Sequence, residues 1–358
     1  NGVGAPTTET GQNDSGGEWV TPLVSDSKGN LYAGYKKMYK LVNGAWVATS
    51  NFEVFDDIDH IEISPLDDNT IYFSEAGALY LSTDAGANFI GIPFNNGTIN
   101  GIEASPKDNN TVWIVTNNGV FESTNILSAN PTFQSLGTNV PSESKLVVRY
   151  HGRSGKNTLY LGTALGVYYL NEDSTDWKVF DNNLPNVAVR DLEINEMDSK
   201  LYAGTYGRGV FVTNIPTVTP ASDVNLIGFT NINDGFSCGD SIIPTLTVKN
   251  DGSQTLTSIV FDYVYDNAQT PEKYTWTGTL NVGQTETISL PEKTLSIGNH
   301  SINVTINLPE DDYKANNWAA SNFKTNNAIP QAFFINDFES SAAANLLVSE
   351  TIGSTTGK

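Results

Sequence analysis

A short apolar strand pattern recurs along this chain at nearly constant spacing, and it limits the possible folds more than any other sequence feature. Five segments share a core of leucine, isoleucine, valine and aromatic residues: residues 31–34, 71–74, 112–115, 159–162 and 201–204. Their first residues lie 40, 41, 47 and 42 positions apart. A period of roughly 40–45 residues that holds four short strands is typical of β-propeller blades. The spacing therefore predicts a tandem array of blades.

The other strands of each period repeat as well. A tight turn and a second apolar strand follow each segment, and an element with one aromatic residue comes next: Trp46, Phe89, Phe133 and Trp177. A preceding strand also recurs, since residues 58–65 parallel residues 99–106, and residues 147–149 and 192–194 occupy the same position. Each blade needs apolar cover from its neighbours, so we interpret the recurrent aromatic residue as packing between blades.

The ends of the array are less regular than its middle. The first period lacks a clear leading strand, and the last ends at Ile215 after three strands. We therefore predict that residues 19–215 form about five blades of a larger ring. Residues 1–18 are predicted to be a loop or the remnant of a further blade.

Composition agrees with an all-β chain and excludes several functions. The 358 residues include 31 Gly and 15 Pro, which favour short strands joined by turns. The formal net charge of -21 disfavours nucleic acid and anionic membrane surfaces as partners. Direct membrane insertion is not expected, because no apolar run is long enough to span a bilayer. The single cysteine, Cys238, excludes an internal disulfide framework and a cysteine-rich zinc site, and no cofactor is predicted.

One turn carries a motif that is known from a family. Ser82, Asp84, Gly86 and Phe89 fit the Asp-box pattern Ser-x-Asp-x-Gly-x-x-Trp/Phe. The segment resembles the BNR repeat of sialidases, sortilin-type receptors and xyloglucanase-type glycosidases. The resemblance implies a structural role: Asp accepts turn amides, Gly permits positive φ, and the aromatic residue packs inward.

Two further stretches resemble sortilin-type propellers of exported Bacteroidetes proteins. Residues 18–23 with 31–35 are similar to a blade from the middle of such a ring, and residues 183–185 with 201–211 are similar to its closing blade. The resemblance implies a secreted or cell-surface protein on the outer face of a bacterium. It also implies export by type IX secretion, through a C-terminal signal that we expect to lie beyond residue 358.

The remainder of the chain is predicted to be a second β structure. Residues 216–222 form a Pro/Thr-rich linker, and residues 223–326 contain six or seven strand candidates that suggest an Ig-like sandwich. Residues 244–252 with 298–300 and 316–317 resemble CARDB-type adhesion modules, which often act as spacers. Cys238 is predicted to lie in a turn, and residues 327–358 to begin a further, truncated β domain.

The candidate site residues share one position of the repeat. Glu62, Glu103 and Glu193 occupy it in three periods, and Arg149 occupies it in the fourth. Near the ring axis these four residues would form an acidic channel lining with one internal ion pair. The alternative is a repeated solvent-facing position beside a water-filled channel. A glycosidase would need two carboxylates about 5–10 Å apart.

Other catalytic and metal patterns are not supported. A sialidase would need a cluster of arginines, but the four in this chain do not recur in matching positions: Arg149, Arg153, Arg190 and Arg208. The three histidines show no zinc-ligand spacing. The acidic loops at residues 66–69 and 107–110 are more simply turn formers than calcium sites.

Three functional hypotheses follow. The first is a non-enzymatic interaction or adhesion protein that binds a protein or glycan at the cell surface. The second is a glycan-active enzyme with its active site outside or at the edge of these residues. The third is a cargo or accessory subunit bound to outer-membrane secretion machinery. The lack of a convergent catalytic set favours the first.

Overall fold

The computed structural model describes residues 18–326, except positions 19, 28, 43, 181–182, 197, 233–235, 267, 269, 309–310 and 312. Within these residues the regular structure consists of β-strands and one short 3₁₀ turn, Lys314–Asn316. The chain is therefore all-β, as predicted. Most of the predicted N-terminal loop and the whole segment 327–358 lie outside the described residues.

Five consecutive antiparallel sheets form the propeller blades. The first contains β1 (Leu23–Ser25), β2 (Leu31–Gly34), β3 (Met38–Val42) and β4 (Ala45–Ala48), and the second β5 (His60–Ile63), β6 (Ile71–Glu75), β7 (Ala78–Ser82) and β8 (Ile90–Ile92). The third contains β9 (Ile99–Ala104), β10 (Val112–Thr116), β11 (Gly119–Ser123) and β12 (Gln134–Ser135), and the fourth β13 (Lys145–His151), β14 (Thr158–Thr163), β15 (Gly166–Leu170) and β16 (Lys178–Val179). The fifth contains β17 (Val189–Asn195), β18 (Lys200–Thr205) and β19 (Gly209–Asn214).

Apolar side chains hold neighbouring blades together. Tyr72 of the second blade packs in one cluster with Ile102 and Ile114 of the third. Trp113 on the opposite face of β10 packs in another cluster with Leu161 of the fourth blade. Every residue of β10 is buried, because a blade inside the array is covered on both faces. This explains why the middle strands show no alternation of apolar and polar residues.

The two ends of the array differ from the prediction in one respect. The first period does have a leading strand, β1, whose three residues pair with β2. It is too short to show a sequence pattern of its own. The fifth blade has three strands among the described residues, as expected, and its outer strand β19 exposes Val210 and Val212.

A β-sandwich follows the propeller. Its strands are β20 (Val224–Phe229), β21 (Phe236–Cys238), β22 (Ser241–Ile242), β23 (Thr245–Asn250), β24 (Leu256–Tyr265), β25 (Glu272–Leu280), β26 (Thr285–Ser289), β27 (Lys293–Thr294), β28 (Gly298–Ile306) and β29 (Trp318–Asn326). A sheet of order β20-β23-β26 faces a sheet of order β21-β29-β28-β24-β25, and β22 pairs with β27. Phe261, Ile302 and Val304 lie in the shared core and are fully buried. This is the expected Ig-like arrangement.

The prediction was wrong about the segment around Cys238. Phe236–Cys238 is not a turn but a strand, which pairs in parallel with the last strand, β29. Strand β29 has no clear strand pattern in the sequence, because its residues include two alanines and several polar side chains. A parallel pair between residues almost 90 positions apart leaves no local sequence signal.

An arginine joins the propeller to the sandwich. Arg153, in the loop after β13, forms an ion pair with Asp223, which is fully buried at the start of the sandwich. The guanidinium also lies 5.1 Å from the centre of the Tyr313 ring. The backbone N–H of Val218 donates to the carbonyl of Arg153 at 2.8 Å. The loop between the first and second strands of the fourth blade therefore contacts the sandwich.

Candidate functional site

The first strands of the blades converge on an axial cleft of about 700 Å³. All five blades contribute to its wall, among others through Leu23, Glu62, Ile102, Arg149 and Asp191. These side chains converge because the first strand is the innermost strand of each propeller blade. The position that repeats in the sequence therefore lies at the centre of the array.

The glutamates in this position form a repeated contact between blades. Glu62 Oε1 accepts the backbone N–H of Ala104 in the third blade at 3.1 Å. Glu103 Oε1 accepts the backbone N–H of Tyr150 in the fourth blade at 2.9 Å. In both cases the donor follows the repeat position of the next blade by one residue. These carboxylates thus link the inner strands of three successive blades.

Arg149 extends the chain of contacts to the fifth blade. Its Nη1 lies 3.2 Å from Glu103 Oε2, and its Nη2 lies 3.3 Å from Glu193 Oε1 and 3.7 Å from Asp191 Oδ1. The structure therefore brings Arg149 together with two of the three glutamates singled out in the sequence. Asp191 was missed, although it lies two positions before Glu193 and hence on the same face of β17.

Burial alters the protonation of the inner carboxyls. Burial, together with the neighbouring Glu103, raises the pKa of Glu62 above the ordinary carboxyl range. Burial also raises the pKa of Glu103, against the lowering effect of Arg149. Burial alone would lower the pKa of Arg149, but Glu103 and Glu62 hold it above its usual value. The guanidinium thus stays charged and offsets part of the buried negative charge.

The mouth of the axial cleft is more exposed than its inner part. The Asp191 side chain is 63% exposed, whereas that of Arg149 is 24% exposed. Arg190 lies 5.7 Å from the centre of the Tyr206 ring, and Tyr206 is 73% exposed. Burial lowers the pKa of His60 to about 4, so this histidine in the cleft wall is neutral at pH 7. The mouth therefore combines carboxylates, an arginine and an aromatic ring.

The predicted Asp-box residues form the turn between β7 and β8. Asp84 accepts the backbone N–H of Asn88 at 2.8 Å, and Ser82 Oγ accepts the N–H of Gly86 at 2.9 Å. Gly86 has a φ of 86°. The Phe89 ring packs 4.8 Å from the ring of Phe73, centre to centre. These contacts close the hairpin between the third and fourth strands of the second blade. The axial carboxylates lie on the first strands of the blades, at the opposite edge of each sheet.

The four arginines occupy different environments. Arg149 and Arg190 line the axial cleft. Arg153 lies at the junction with the sandwich, and Arg208 is exposed in the turn between β18 and β19. A substrate carboxylate at the axis would therefore not meet the three arginines that the sialidase resemblance requires.

The described residues contain neither a candidate metal site nor a candidate membrane-spanning helix. No group of three or more His, Cys, Asp or Glu side chains there could hold a metal ion. No helix in that part of the chain is long and apolar enough to cross a membrane.

Comparisons with known proteins give similar structures but no family. No family model matches the chain, and no curated protein matches it. A GH74 enzyme from Niastella koreensis is similar over 89% of this chain and 55% of that chain, with 15% identity and a TM-score of 0.47. The extracellular domain of a putative one-component system from B. thetaiotaomicron is similar over 86% of this chain and 44% of that chain, with 12% identity and a TM-score of 0.41.

A CARDB domain is also among the similar structures. The CARDB domain of a Pyrococcus furiosus protein, solved with two metal ions, matches 30% of this chain and 97% of that chain. The identity is 18% and the TM-score 0.26. The similar structures thus include an extracellular domain from B. thetaiotaomicron, a GH74 enzyme and a CARDB domain.

Proposed function

We propose that the chain is an exported, cell-surface binding protein without catalytic activity. The observation that carries this proposal is the use of the inner carboxylates between blades. Glu62 and Glu103 each accept a backbone N–H of the next blade, and Arg149 pairs with Glu103. A general acid or base must be free to exchange a proton with its substrate, and Oε1 of each of these carboxyl groups is instead bonded to the next blade.

The mouth of the axial cleft is the proposed binding surface. Tyr206 and Arg190 line the cleft together with the exposed carboxylate of Asp191. Aromatic residues and arginine are the side chains that contribute most binding energy at protein interfaces. The partner is a protein or glycan of the cell surface, and the sandwich holds the propeller away from its attachment point.

Export rests on the resemblance to sortilin-type propellers of Bacteroidetes proteins. In this proposal the chain travels through type IX secretion as cargo. Stable association with outer-membrane secretion machinery is an alternative role for the same surface. We also propose that the blades are of the BNR type and that the sandwich is a CARDB-like spacer.

Retention on outer-membrane fractions from a Bacteroidetes species tests the proposed surface. The intact chain should sediment with the membranes, and Tyr206→Ala should lower the retained fraction. Val179→Ala is a matched control, because Val179 is also exposed but lies on the outermost strand of its blade. Equal retention of the wild type and Tyr206→Ala would contradict the proposed surface.

A further inference from the structure

A second large cleft separates the propeller from the sandwich. Loops 66–69 and 107–109 of the second and third blades line one wall, and strands β24, β28 and β29 line the other. Its volume is about 590 Å³, within the range of roughly 300–1,000 Å³ that is usual for ligand sites. None of its lining residues belongs to the axial cleft.

The sandwich wall of this interdomain cleft is a flat row of side chains. Asp262 pairs with Thr305 in the sheet register, and Thr305 pairs with Trp318. Residues that pair directly on adjacent strands stand on the same face of a sheet. Asn303 extends the row, because it lies two positions from Thr305 on β28. The face thus presents a carboxylate, a hydroxyl, an amide and an indole side by side.

Hydrogen bonds hold the opposite wall in shape. Asp67 Oδ1 accepts the backbone N–H of Asn69 at 3.0 Å. Asp68 Oδ1 accepts the backbone N–H of Ser27, also at 3.0 Å, from the first blade. Asn109 Oδ1 accepts the Ser64 hydroxyl at 3.1 Å. A wall that is ordered before binding loses little conformational entropy when a ligand arrives.

The chemistry of the walls excludes several ligand classes. Anions are disfavoured, because the lining contains more carboxylates than lysines even though Lys273 pairs with Asp262: Asp67, Asp68, Asp108 and Asp262 against Lys107 and Lys314. No group of metal-ligating side chains occurs in the described part of the chain. An extended peptide would need a free sheet edge, but β28 lies between β24 and β29. The polar side chains and the indole of the lining suit a neutral ligand rich in hydroxyl groups.

The geometry points to an oligosaccharide of neutral sugars as the ligand of the interdomain cleft. A sugar ring has an apolar C–H face that can lie on the indole of Trp318. Its hydroxyl groups can exchange hydrogen bonds with Asp262, Thr305 and Asn303. This inference rests on the proposed binding function, and it assigns a ligand class to a site away from the axial surface.

Calorimetric titration of the whole chain with cellotriose, xylotriose and mannotriose tests the inference. At least one of these saccharides should bind. Trp318→Ala should weaken that binding about tenfold, the equivalent of a lost aromatic contact. Asn303→Ala should weaken it as well. Asn322→Ala is the matched control, because Asn322 is exposed on the same face of β29 but does not line the cleft.

The outcomes separate this inference from the proposed function. Failure of all three saccharides to bind would overturn the inference, and so would equal binding by the wild type and Asn303→Ala. The second criterion holds even if Trp318→Ala does not fold. Membrane retention that depends on Tyr206 would leave the proposed function standing in either case, since the two clefts share no residue.

Discussion

Glu103 accepts the backbone N–H of Tyr150 at 2.9 Å, across the boundary between the third and fourth blades. Glu62 makes the same contact one blade earlier. Because a buried carboxylate that loses its donors is costly, both partners of such a bond are constrained. The repeated acidic position thus contributes to the cohesion of the propeller.

Truncation of Glu103 should destabilise the propeller. Glu103→Ala removes the bond to Tyr150 and the ion pair with Arg149, and should lower the free energy of unfolding by about 2–3 kcal/mol. Urea denaturation measures this loss. Glu193→Ala is the control and should cost no more than about 1 kcal/mol, because Glu193 is 65% exposed. Equal losses in the two variants would contradict the role given to Glu103.

The free energy of unfolding should fall as the pH rises, because of the raised pKa of Glu62. Burial raises its pKa, so the folded state retains a proton that the unfolded state releases. The contribution of Glu62 to stability is complete below the pKa that this residue has in the unfolded chain. It is lost as the pH rises through the pKa that Glu62 has in the folded protein. Glu62→Gln should therefore gain stability relative to the wild type between about pH 5 and about pH 8. Parallel stability profiles from urea denaturation at each pH would show that this pKa is not raised.

Arg153 should couple the propeller to the sandwich. Arg153→Met leaves the carboxyl of Asp223 buried without its guanidinium, which should cost about 3 kcal/mol. Calorimetry should show a separate, earlier transition for the sandwich, and proteolysis within residues 216–222 should become faster. Lys156→Met removes an exposed ion pair with Asp173 and should change stability by less than about 1 kcal/mol. An unchanged calorimetric trace for Arg153→Met would contradict the coupling.

Gly86 should be intolerant of a side chain for two reasons. Its φ is 86°, and a β-carbon at this position would lie 2.5 Å from Met38 Cε. Gly44 has a similar φ of 80° but no atom within 4 Å of the added carbon. Gly44→Ala should cost about 1–2 kcal/mol through backbone strain alone. Gly86→Ala should lower the melting temperature further, and equal melting temperatures would show that Met38 moves away freely.

The repeat allowed the inner position to be predicted, because it recurs in four periods at the same place. Asp191 has no counterpart in the other periods, and its approach to Arg149 depends on the packing of two blades. Arg153 and Asp223 lie 70 positions apart in different sheets, so no local pattern could pair them. The interdomain cleft depends on the same docking and could not be predicted either.

The double variant Glu62→Gln/Glu103→Gln distinguishes a structural role of the inner carboxyl groups from a catalytic one. Glutamine can still accept the N–H groups of Ala104 and Tyr150, but it cannot act as an acid or a base. Wild type and double variant should show the same membrane retention per folded molecule, and neither should hydrolyse β-glucan, xylan or mannan. Hydrolysis of one of these glycans by the wild type and not by the double variant would contradict the account.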